Sequence, residues 1–366
     1  MSRITKFEPV PRYGSEVHFC CLLRKAHSLD EILSKVACIM GAGICLHKAW
    51  WKEGTTMQIR TIGKPSIDTV LSQIVERYEA QFPGRIRACY LTGSYAEGNA
   101  VEWSDIDVYV LFQDAFVSEG EAAQAEQLGL SCTPLTPLRL DLHAESEQSQ
   151  DSLPGFLRAA VKNTSVLLYG EDTREHMSLP GREEYTRDAT EIALKFLLWL
   201  HQVENATYPL AYPDPDGAFF GYDQLQFLSD SSDRASARQG IRFLVESACR
   251  IGTALLAFKT DRSVSTKRES VQTYRELIND EWASFLEAMF ERGKLCWSYN
   301  LPENEEERAE LRMLCERMLP FENHYLRAHR AYLLAQLGSN NEAAKQFALQ
   351  GLKQVIYPDE AGDKLY

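Results

Sequence analysis

The stretch LTGSYAEGNAVEWSDIDVYVL, residues 91–111, decides how the chain is read. Gly93-Ser94 is a small-residue turn, and about ten residues later Asp105 and Asp107 stand two apart inside an alternating apolar run. On a β-strand, alternate side chains share a face, so the two carboxylates point one way and Ile106, Val108 and Val110 point into a core. Hard carboxylate oxygens hold Mg²⁺, and a glycine turn lets backbone N–H groups approach phosphate oxygens closely. The pattern therefore reads as a metal site beside a phosphate cradle.

Working outward, residues 66–81 (SIDTVLSQIVERYEAQ) carry Ile67, Val70, Leu71, Ile74, Val75 and Tyr78 at helical spacing, and Pro83-Gly84 ends the run. Ile86–Leu91 alternates as a strand and leads into Gly93, and residues 106–112 form a second strand. A loop and helix are expected over 113–129. Leu138–His143 reads as a third strand with Asp141 and His143 on one face. A short helix over 153–161 and the apolar run 166–170 complete a small mixed α/β domain.

Beyond Pro180 the pattern turns helical. Long apolar stripes cover 188–204 and 236–259. Thr266-Lys267-Arg268-Glu269 fits a capping box. Further helical runs are expected over 282–296, from Glu303, over 321–336 and over 339–355. The expected organisation is an N-terminal extension over 1–65, an α/β domain over 66–180 and a helical bundle over 181–366. Within the extension, 27–41 has helical spacing, and 45–51 and 56–62 read as short strands.

The chain has 366 residues, 45% hydrophobic, with a net charge of -13, which suits two packed domains and disfavours a broad basic face for nucleic acid. Nine cysteines without a CxxC pair read as free structural thiols in a reducing compartment. No 18-residue apolar stretch and no apolar leader segment are visible, so a cytoplasmic protein without a membrane span is expected.

Asp141, on a strand next to the Asp105/Asp107 pair, supplies a third carboxylate. It suits a second metal ligand or the base that takes a proton from an acceptor hydroxyl. His143 on the same face remains an alternative.

Taken together, Gly93-Ser94, Gly98 and Ser104-Asp105-Ile106-Asp107 resemble the nucleotidyltransferase signature of the DNA polymerase beta superfamily. The resemblance is nearest to its minimal members and to antibiotic nucleotidyltransferases with a helical C-terminal domain. It implies that Gly93 and Ser94 meet the β- and γ-phosphates, that Asp105 and Asp107 bind Mg²⁺, and that Asp141 is the third acid. The aminoglycoside adenylyltransferases also place a lysine at a helix start after a long helix, and Ser265-Thr266-Lys267 fits that place. Lys267 is thereby implied as a triphosphate contact, and ATP as the co-substrate.

The expected reaction moves a nucleoside monophosphate to a hydroxyl and releases pyrophosphate. The leading acceptor is a small hydroxylated, cationic molecule such as an aminoglycoside, which would make the protein an antibiotic-resistance enzyme. Nucleotidylation of tRNA or a protein hydroxyl, and a non-catalytic nucleotide-binding module, are the alternatives. Candidate acceptor contacts are Tyr212, Asp214, Asp216, Tyr222 and Asp223, in a loop rich in acids and aromatics, and Glu191 on the first bundle helix.

Overall fold

The computed structural model describes residues 58–227 and 237–358. Residues 59–366 cluster as one compact unit. The helix expected over 27–41, the strand over 45–51 and Cys20, Cys21, Cys38 and Cys45 lie outside the described residues. Residues 58–62 are not a strand. Their backbone is irregular, with the Arg60 N–H donating to Leu168 and the Ile62 N–H to the Asp68 carboxylate.

The first layer is helix α1 (Pro65–Gln81), whose stripe Ile67, Val70, Leu71, Ile74, Val75 and Tyr78 is buried. Pro65 in its first turn forgoes only an N–H that has no helical partner. The sheet comprises β1 (Ile86–Thr92), β2 (Ile106–Phe112), β3 (Leu140–Ser146) and β4 (Val166–Gly170), in the order β3-β2-β1-β4. β1 is antiparallel to β2 and β4, while β2 and β3 run parallel. A parallel pair needs a crossover, and helix α3 (Glu119–Cys132) supplies it. It follows the one-turn helix α2 (Gly93–Ala96) in the chain.

The opposite sheet face carries Tyr90, Tyr109 and Leu111 under Leu153, Val161 and Met177. Val161 belongs to helix α4 (Gly155–Thr164). That cover buries Tyr109 but leaves Asp107, two residues earlier on the same face, only partly buried.

The second half is helical: α5 (Arg182–Leu200), α6 (Arg242–Lys259), α7 (Lys267–Leu277), α8 (Ala283–Ala288), a π-helical segment (Met289–Cys296), α9 (Glu305–Leu337) and α10 (Glu342–Gln354). Short strand pairs join Leu225–Phe227 to Ala237–Gln239, and Ala206–Thr207 to Val355–Ile356. The helical run expected from 236 therefore begins at Arg242, after a strand over 237–239. The run expected over 282–296 changes from α to π at Met289. The runs expected from 303 and over 321–336 are one 33-residue helix that continues through Pro320. An interior proline costs about 3 kcal/mol. Burial of Met318, Phe321, Tyr325 and Leu326 offsets it, because each apolar side chain contributes roughly 1.5–3 kcal/mol.

Among the described residues Cys89, Cys132, Cys249 and Cys315 are buried free thiols and Cys296 is exposed. No described helix is long and apolar enough to cross a membrane.

Candidate active site

β1 delivers the chain to Gly93, whose φ of +64° is left-handed and favours glycine. A Cβ at Gly93 would also overlap the Asp107 carboxylate. Thr92 pairs in register with Asp107, so the turn lies directly against that side chain. The turn closes through the Glu97 N–H to Gly93 O and the Asn99 N–H to Ser94 O, both 3.0 Å. Ser94 is buried and its hydroxyl has no hydrogen-bond partner. A buried orphan hydroxyl on a glycine turn is what a phosphate oxygen would satisfy.

Asp105 stands just before β2. Ser104 fixes the approach, its Oγ accepting from the Val101 N–H at 2.9 Å. Ile106, Val108 and Val110 are buried on the opposite face. Asp107 and Asp141 are register partners across β2 and β3, so period 2 and strand pairing bring together acids 34 positions apart. Burial raises the Asp107 pKa, and the neighbouring Asp105 and Asp141 charges raise it further, to well above the usual carboxylate range. Asp141 is held low: burial opposes its charge, but the hydrogen bond from His143 Nε2 at 3.2 Å and the charges of His143 and Arg139 together outweigh this. His143 in turn is raised by Asp141 against the effect of burial.

The helical domain answers with cations. Arg242, at the start of α6, pairs with Asp105 and donates to the Trp103 carbonyl at 3.1 Å. Burial would raise the Asp105 pKa, but Arg242, Lys267 and Arg139 together hold it well below the usual range. Lys267, the first residue of α7, pairs with Glu246, one turn beyond Arg242 on α6. It also lies close enough to Asp105 and Asp107 to favour their charged forms. The capping box holds α7 in place: Thr266 Oγ1 accepts from the Glu269 N–H at 3.0 Å, and the Glu269 carboxylate accepts from the Ser265 N–H at 2.7 Å. Asn163 of α4 donates to Ser265 Oγ at 2.9 Å, tying this cap to the sheet domain.

Arg242, Glu246 and Lys294 escaped the sequence reading. Arg242, Glu246 and Arg250 recur every four residues beside the apolar stripe of α6, and that charge ladder is the signal available. Lys294 carries no comparable signal.

The proposed acceptor loop goes elsewhere. Tyr222 is fully buried and donates to Glu322 of α9 at 2.7 Å, and Tyr212 stacks on Phe220 and donates to the Glu316 carbonyl. These rings pack the bundle, which corrects the expectation that Tyr222 is an acceptor contact. Asp214 and Asp216 are exposed and Asp223 is half-buried, on the same α9-bound loop. Glu191 is exposed on α5, one turn beyond Asp188, which accepts from the Gly155 N–H of α4. Desolvation and the Glu184 charge raise the Asp188 pKa, and desolvation and the Asp188 charge raise that of Glu191.

Asp105 and Asp107 with triphosphate oxygens suit Mg²⁺, which commonly takes one or two carboxylates and completes its shell from substrate and water. Among the described residues no group of three His, Cys, Asp or Glu side chains is gathered around one metal position. Asp105 instead faces Arg242, and Asp141 faces His143. The mutual repulsion felt by Asp107 is what a divalent cation would relieve, so the donor chemistry fits the ion.

A family model for the nucleotidyltransferase domain matches residues 71–164, from within α1 to the end of α4. Among solved structures, the chain is similar to a spectinomycin adenyltransferase, AAD(9), from Enterococcus faecialis, determined with ATP and spectinomycin. The identity is 10% and the TM-score 0.42, over 69% of this chain and 98% of that one. No curated protein sequence matches. The matched span holds Gly93, Ser94 and all three carboxylates, so the chain carries a nucleotidyltransferase domain and is an enzyme of that class.

Proposed function

We propose that the protein transfers AMP from ATP to a hydroxyl of a small, cationic acceptor. One observation supports the reading: Asp107 is the register partner of Asp141 and feels the Asp105 charge, next to the Gly93-Ser94 turn with its unpartnered hydroxyl. Ser94 and the Gly93 turn bind triphosphate oxygens, and Lys267 adds a point charge. When bound, Mg²⁺ on Asp105 and Asp107 neutralises charge on the phosphates. The Asp141 carboxylate, hydrogen-bonded to His143, takes the proton of the acceptor hydroxyl. The acceptor oxygen forms a bond to the α-phosphorus, the bond to the β-phosphate oxygen breaks, and pyrophosphate leaves.

The charge distribution supports a cationic acceptor. Arg242 and Lys267 are engaged with acids rather than arrayed as the exposed basic stripe that a polynucleotide backbone requires. Glu191, whose charge is disfavoured by neighbouring Asp188 on α5, would be relieved by an ammonium group. Incubation with labelled ATP, Mg²⁺, a panel of aminoglycosides and total tRNA tests this. Label is expected on the small amine-bearing acceptor, and label moving only to tRNA or to protein refutes the acceptor class.

A further inference from the structure

Lys294 is almost completely buried, at 1% exposure, yet among the described residues it forms no ion pair with an acid. Its Nζ donates to Asn99 Oδ1 at 2.9 Å, a hydrogen bond that spans 195 residues of sequence and joins the helical domain to the sheet domain. Asn99 is itself buried. Its side-chain amide donates to Glu97 Oε2 at 2.8 Å, and its backbone N–H donates to Ser94 O at 3.0 Å. One buried asparagine therefore connects the lysine to both ends of the turn that carries the orphan Ser94 hydroxyl.

The backbone that carries Lys294 is specialised. Residues 289–296 are π-helical, a conformation found mostly as short interruptions and often at functional positions. Its bonds continue past the segment, the Trp297 N–H reaching Arg292 O at 2.9 Å. Gly293 lets this segment close on α6, since a Cβ there would stand 2.5 Å from Val245 Cγ2. Burial and the neighbouring Lys267 charge push the Lys294 pKa down to about 8. A buried ammonium beside another cation is costly. For packing alone a methionine would serve with less penalty.

We propose that Lys294 is a positioning residue for the phosphate-binding turn: through Asn99 it fixes residues 93–99 to the helical domain, so that Ser94 is presented to the triphosphate. The proposal deepens the nucleotidyltransferase reading and rests on it for the consequence, but the anchoring itself can be measured without nucleotide. Asn99 Oδ1 is the acceptor, so a side chain of similar length without a donor removes the tie and keeps the volume.

The test compares wild type, Lys294→Met, Lys294→Arg and Asn99→Ala by hydrogen–deuterium exchange and by binding of Mg²⁺ with a non-hydrolysable ATP analogue. In nucleotide-free protein, Lys294→Met and Asn99→Ala should each accelerate exchange within 93–99 while α9 stays protected, and the double variant should add little. Analogue binding should weaken about tenfold in each, the loss expected for one buried hydrogen bond. Lys294→Arg, which keeps a donor, should recover part of the protection. Unchanged exchange at 93–99 in a folded Lys294→Met protein overturns the anchor. Faster exchange with unchanged analogue affinity overturns its role in presenting Ser94. Variants that show the exchange effect, with a wild type that binds no nucleotide, overturn the function proposed above while leaving the anchor standing. Should Lys294→Met not fold, Asn99→Ala decides the same questions from the other side of the bond.

Discussion

The two sides of the candidate site are built in opposite ways. The carboxylate side is compact in sequence: Gly93, Ser94, Asp105 and Asp107 lie within fifteen residues, and strand register adds Asp141. The cationic side draws Arg242, Lys267 and Lys294 from three separate helical segments. The first is fixed by local periodicity, the second only by how the helices dock. Charge balance follows that split. Asp107 is crowded by like charges, whereas Asp105 is compensated by a cation from the other domain.

The largest expected effect falls on the carboxylate side. Asp107→Asn should lower Mg²⁺-dependent pyrophosphate release by about 10³-fold, because the lost charge stabilisation amounts to several kcal/mol. The same change should stabilise the nucleotide-free fold. The folded pKa of Asp107 lies above its unfolded value, so its stabilising contribution is present at low pH and is lost as pH rises through the folded pKa. Above the unfolded carboxylate pKa the raised value costs stability, and removal of the ionisable group should raise Tm by roughly 2–4 °C. Thermal scans at pH 5 and pH 8 check the sign, and a fall in Tm at pH 8 would break the contrast between the two aspartates.

Arg242→Met should act in the opposite direction on stability. It strands Asp105, and loss of one partner from a mostly buried pair costs about 3 kcal/mol. Asp105 has a depressed pKa, so its contribution is present above the unfolded carboxylate pKa and is lost as pH falls through the folded value. The deficit of the variant in urea unfolding should therefore shrink toward pH 3. A deficit independent of pH would assign Arg242 to packing instead.

The smallest expected effect sharpens the correction to the acceptor loop. Asp214→Asn and Asp216→Asn, on the loop that packs against α9, should change acceptor KM by less than about twofold, within the range of surface substitutions. Glu191→Gln should raise it more. The reverse order in steady-state assays would return the acceptor to the loop.

The sheet domain was legible because its signals are local. The 106–112 strand, the 66–81 stripe and the Gly93 turn each follow from side-chain period or backbone conformation, and the family match falls on the same span. The bundle was legible as helices but not in their limits. Separate runs are expected from Glu303 and over 321–336, where burial of the stripe around Pro320 sustains one helix. The shift to π geometry at Met289 has no counterpart in apolar spacing. The aromatic loop 208–223 holds five rings and three acids, a composition that suits a ligand or a linker packing its own aromatics. The fold instead uses Tyr212 and Tyr222 against α9.

What the sequence by itself determined is the nucleotide side of the chemistry: a glycine turn followed by two acids at strand spacing, with a third acid on another strand. Tertiary structure alone decided the partners of those acids. It set Arg242 on Asp105, Lys267 on Glu246 and Lys294 on Asn99. The reason is physical. Strand period operates over two residues, so chemistry on one strand is written in adjacent letters. Long-range charge pairing depends on how preformed helices pack, and it leaves no fixed spacing in the chain.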